Sequence, residues 1–90
     1  MRVITIEEDN HGLIGIAKDY KSAVQFLVDS DWLDDRFEVF VDTEEYLTQS
    51  IQEHLGENWL AVVLGWNRTK FNEFFEGCFC LTVEKVYGVD

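Results

Sequence analysis

The hydrophobic period of this chain switches from two residues to about 3.6 near Tyr20, and that switch limits the fold more than any other feature. Before it, Arg2 to Glu7 alternates and is rich in β-branched residues, the pattern of a strand. Glu8-Asp9-Asn10-His11-Gly12 is turn chemistry: Asn and Gly tolerate positive φ, and Asp and Asn can bond nearby backbone groups. Leu13 to Lys18 then reads as a second strand, so Arg2 to Lys18 forms a hairpin. Gly15 inside it marks a bulge or a close packing contact. After the switch, Tyr20, Ala23, Val24, Leu27 and Val28 recur at helical spacing. They predict the buried stripe of a helix from about Tyr20 to Ser30, with Asp19 or Ser22 able to cap its start.

The helix breaks at Trp32 and Leu33. Phe37, Val39 and Val41 then alternate with Glu38 and Phe40, which predicts a third strand from about Arg36 to Val41 with one apolar and one mixed face. Asp42-Thr43-Glu44-Glu45 has the form of a capping box. It predicts a second helix running to about Leu55, with Leu47, Ile51 and Leu55 inward and Gly56 as terminator. Trp59 to Trp66 reads as a short helix. Phe71, Phe74 and Phe75 mark a last helix ending at Gly77. Cys78 to Tyr87 reads as a final strand, with Phe79, Leu81, Val83 and Tyr87 on one face and Cys78, Cys80, Thr82, Glu84 and Val86 on the other. The expected order is ββαβαααβ, an α+β fold with a small, largely antiparallel sheet packed with helices.

Ninety residues allow a single domain, 1–90, with one modest core. Hydrophobic residues make up 47% and aromatics 14%, which is too apolar for a disordered chain despite its charge. Three Trp, seven Phe and three Tyr can supply the core, because each ring buries a large area. The apolar stretch at the N-terminus is short and broken by acids, unlike a signal peptide. No run approaches the length of a transmembrane helix. Cys78 and Cys80 do not make a secreted-type disulfide framework. The expected compartment is the cytoplasm.

Eighteen acids stand against seven bases, for a formal net charge of −11. Such a chain repels nucleic acid and anionic membranes and is drawn to basic protein surfaces, including those that hold DNA or RNA. Acidity can also serve solubility alone. The acids cluster, however. Asp29, Asp31, Asp34, Asp35, Glu38, Asp42, Glu44 and Glu45 are opposed only by Arg36, and Glu7, Glu8 and Asp9 form a shorter run. Trp32 lies among these acids. It either packs beneath the helix end or anchors an interface with a basic partner. The long cluster and Trp32 form the candidate partner-binding site.

Two thiols at i and i+2 of a strand share a face, about 6.6 Å apart at Cα. Their parallel side chains would strain a mutual disulfide. Cys78 and Cys80 could instead reach one zinc ion, with His54 and His11, the only histidines, as the remaining ligands. The other reading is two small buried hydrophobes. His11, in the hairpin turn, is otherwise an exposed turn residue. The chain holds no nucleophile motif, phosphate-binding glycine loop or metalloprotease helix, so no catalytic residues are assigned and no enzyme is expected.

The opening from Val3 to Ala17, and the late segment with Asn72, Phe74, Phe75 and Gly77 leading into a strand, resemble small acidic proteins encoded by phages and prophages of Gram-positive bacteria. That group includes anti-CRISPR inhibitors of type II-A Cas9. The resemblance implies a non-catalytic host-defence antagonist whose partner is Cas9. Composition adds only that the chain is an acidic binder. Two other readings stand beside it: a zinc-stabilised acidic interaction module, and a homo-oligomeric phage accessory protein with another partner.

Overall fold

The computed structural model describes residues 1–40 and 48–88. Strand β1 spans Arg2–Glu8, β2 Gly12–Ala17, helix α1 Tyr20–Asp29, β3 Glu38–Phe40, β4 Thr48–Ser50, α2 Ile51–Leu55, α3 Trp59–Leu64, α4 Arg68–Phe74 and β5 Phe79–Lys85. The architecture is α+β, in the expected order with one short strand added. The main sheet has the order β2-β1-β5 and is antiparallel throughout, while β3 and β4 pair separately.

The hairpin forms as the opening pattern predicts. Its turn is held by the His11 amide on the Glu8 carbonyl at 3.1 Å and the Asn10 amide on the Glu8 carboxylate at 3.1 Å, with Gly12 at φ 72°. Gly15 fills both expected roles. Ile6 faces Gly15 but Glu7 faces Leu13, so Ile14 is the extra residue of a bulge. A Cβ on Gly15 would also lie 2.7 Å from the Phe26 ring, so the helix packs against bare backbone there.

Ile4 and Ile6 of β1 and Phe79 and Leu81 of β5 point to one side and are buried with Ala23, Val24 and Leu27 of α1. Trp59 and Val63 of α3, Phe71 of α4 and Phe75 complete that core. The tilted rings of Phe71 and Phe75 lie with centroids 4.5 Å apart, and Phe37 meets both Phe75 and Phe79. Each such side chain contributes about 2–3 kcal/mol by leaving water. Tyr20 ties α1 to α3 by donating its hydroxyl to the Val63 carbonyl at 2.6 Å. The opposite sheet face is the polar side of the alternation. It carries Thr5 beside Thr82 and Glu7 beside Cys80, with Leu13 and Ile16 at 58% and 61% exposure.

Several boundaries differ from expectation, among them the last helix, which ends at Phe74 rather than Gly77, and β3, which starts at Glu38 rather than Arg36. Thr48–Ser50 is a strand paired with Glu38–Phe40, not helix. Strand pairing has overridden the helical pattern there, and α2 starts only at Ile51. Its cap is Ser50, which accepts the Glu53 amide at 3.1 Å, while the predicted capping box at residues 42–45 lies outside the described residues. Cys78 precedes β5 rather than opening it. Tyr87 lies past the strand end at 82% exposure, with the Lys85 ammonium over its ring, and Val83 is 41% exposed because β5 outruns the helices that cover its first half.

Candidate acidic interface

The segment from Asp29 to Glu38 owes its shape to the end of α1. The Asp31 amide bonds the Val28 carbonyl, and the Trp32 and Leu33 amides both reach the Leu27 carbonyl. This is a Schellman closure, with Asp31 in the left-handed position at φ 61° where glycine is usual. The turn swings Leu33 into the core and leaves Asp31 outside. Asp34 then accepts the Arg36 amide at 2.9 Å, a local Asx bond that reverses the chain again. The Ile51 amide on the Phe37 carbonyl at 2.7 Å and the Gln52 amide on the Asp35 carbonyl at 3.3 Å fasten the loop to α2.

Asp29, Asp31, Asp34, Asp35 and Glu38 are consequently all exposed. Asp29 accepts the Gln25 amide at 2.9 Å, and among the described residues no base forms an ion pair with any of the five. Asp42, Glu44 and Glu45 lie outside the described residues. Trp32 is half-buried against the core, closer to the packing reading than to a free anchor. Its ring and the His11 ring meet in a T-shaped arrangement, with centroids 5.2 Å apart. His11 in turn bonds Glu8 through Nδ1, and this bond draws the Glu8 carboxyl below its ordinary range. The two acidic runs, separate in sequence, therefore adjoin at the His11–Trp32 contact.

Sequence reasoning missed two members of this surface. Glu8 belongs to it by the contact just described. Phe40 stands on it at 69% exposure, on the same side of β3 as exposed Glu38. Its signal was present: with Phe37 and Val39 inward, alternation leaves Phe40 outward.

Of the four residues considered for zinc, Cys78 is half-buried against the core and Cys80 is exposed on the uncovered sheet face. Both line a shallow cavity of about 180 Å³ with Glu7, Glu8 and Asp9. Burial, reinforced by Asp9 and Glu8, raises the Cys78 thiol above its ordinary range, which disfavours the thiolate a metal needs. His11 faces Trp32, whereas His54 lies between Gln49 and the Phe74 ring. Among the described residues no three His, Cys, Asp or Glu side chains gather to hold a metal, and no helix is long and apolar enough to cross a membrane.

Fold and site together define a small α+β domain that holds a carboxylate-rich surface on a tightly fastened loop. Comparison with protein-family models, curated proteins and solved structures gives no match.

Proposed function

We propose that this protein is a phage-type inhibitor of type II-A Cas9 that acts in the bacterial cytoplasm by binding, without catalysis. The observation that carries the reading is the fixed display of Asp29, Asp31, Asp34, Asp35 and Glu38, joined at Trp32 to Glu8. Cas9 holds its nucleic acids in positively charged channels and reads its PAM with arginines. A pre-shaped row of carboxylates can stand where phosphates would lie, and the net charge of −11 steers it there. Because the loop is already fastened by backbone hydrogen bonds, little ordering cost accompanies docking. Exposed Phe40 offers an aromatic contact beside the charges. Guide loading and target DNA binding are the steps such a surface blocks, since both depend on phosphate-binding surfaces.

A cleavage titration paired with a target-DNA gel shift tests this. Inhibition should saturate near a fixed ratio of inhibitor to Cas9, weaken with salt, and fall in the Asp31→Asn, Asp34→Asn, Asp35→Asn triple variant. Asn suits this test because it also tolerates the left-handed position at Asp31. Full cleavage by several type II-A Cas9 proteins at large inhibitor excess would falsify the assignment.

A further inference from the structure

We propose that two copies of this chain pair through their β2 strands, antiparallel, into one continuous six-stranded sheet. The main sheet has two edges, and they are treated differently. On β5, Asn72 occupies both backbone groups of Leu81: its Oδ1 accepts the amide at 2.8 Å and its Nδ2 donates to the carbonyl at 2.9 Å. Arg68 donates to the same carbonyl at 3.2 Å. An added strand would have to displace these contacts at Leu81. Among the described residues β2 pairs only with β1. Gly12–Ala17 contains no charge and no proline, so apart from the bulge at Ile14 it lacks the devices that normally blunt an edge. It also presents Leu13 and Ile16, more than half exposed, on the uncovered sheet face.

Charge selects a second copy as the occupant. The strand registers set Arg2 beside Lys85 and Ile4 beside Ala17. One end of the sheet thus carries Arg2, Lys18, Lys21 and Lys85 against Asp19 and Glu84, while the other carries Glu7, Glu8 and Asp9. Antiparallel pairing about a two-fold axis lays each basic end beside the acidic end of the other copy. Approach through the Asp29–Glu38 surface would instead oppose like charges. The interface is isologous, as two-fold closure requires, and completes its own edge. A six-residue strand is about 20 Å long. The contact is therefore smaller than the roughly 800 Å² per partner of a standard interface. The pairing is accordingly of the weak, transient kind.

Sedimentation of the full chain from roughly 10 µM to 1 mM reads this directly. Average mass should climb from monomer to dimer, with amides of Gly12–Ala17 gaining hydrogen-exchange protection in parallel. Ile16→Lys should move the midpoint at least tenfold upward, and Val62→Lys, exposed on α3, should leave it in place. Lys18→Glu gives a second reading that leaves the core untouched: it should weaken the dimer, and Lys18→Glu with Asp9→Lys should restore it. A monomer at every concentration overturns the proposal. So does a dimer insensitive to Ile16→Lys and Lys18→Glu, or β2 protection that appears only when Cas9 is added.

Discussion

Removing the Asn72 side chain tests how this small sheet is finished at its β5 edge. Asn72 makes two hydrogen bonds to Leu81, whose own side chain is fully buried. In Asn72→Ala the Leu81 amide loses its partner, whereas the carbonyl retains Arg68. Each bond is worth about 0.5–1.5 kcal/mol net, and a partly buried amide left unpaired adds to that. The sum is about 1.5–3 kcal/mol, a large share of the ~5–13 kcal/mol that a domain of this size possesses. With a urea m-value of about 1 kcal/mol/M, the unfolding midpoint should fall by roughly 1.5–3 M, read by tryptophan fluorescence. Asn72→Asp separates the two bonds. It keeps an acceptor for the amide but sets a carboxylate oxygen against the Leu81 carbonyl, so it too should be destabilised at neutral pH. Its deficit relative to the parent should shrink in acid, where a protonated carboxyl can donate. A loss under about 0.5 kcal/mol in Asn72→Ala, or an Asn72→Asp variant as stable as the parent at neutral pH, would refute the argument.

Other consequences follow from single residues. Asp31→Gly should raise stability by about 0.5–1 kcal/mol, because left-handed strain at φ 61° outweighs the added freedom of the unfolded chain, and thermal unfolding measures it. The Tyr20 phenol is pushed by burial from 10.0 to about 12, so its contribution is complete below pH 10 and lost as pH rises towards 12. Comparing the melting temperatures of Tyr20→Phe and the parent across that range should show the gap close or reverse. Iodoacetamide at mildly alkaline pH should alkylate exposed Cys80 well before Cys78, whose thiol is half-buried and held protonated, and peptide mass mapping would expose the reverse order.

The pattern of side chains alone determined the hairpin, the apolar stripe of α1 and the α+β class. Each rests on local periodicity and turn chemistry, which act between residues close in the chain. The cap of α1 was narrowed to Asp19 or Ser22 for the same reason, and the structure selects Asp19. The charge cluster was legible too, since charge is a property of composition. Tertiary structure alone decided the rest. Thr48–Ser50 became a strand because β3 offered a pairing that helical spacing could not foretell. The two acidic runs adjoin because His11 of the turn meets Trp32 beyond α1. The two edges of the sheet differ because α4 sets Asn72 against Leu81 of β5, while among the described residues no second strand pairs with β2. A contact between residues distant in sequence depends on how whole elements pack, and no local window of the chain records that geometry.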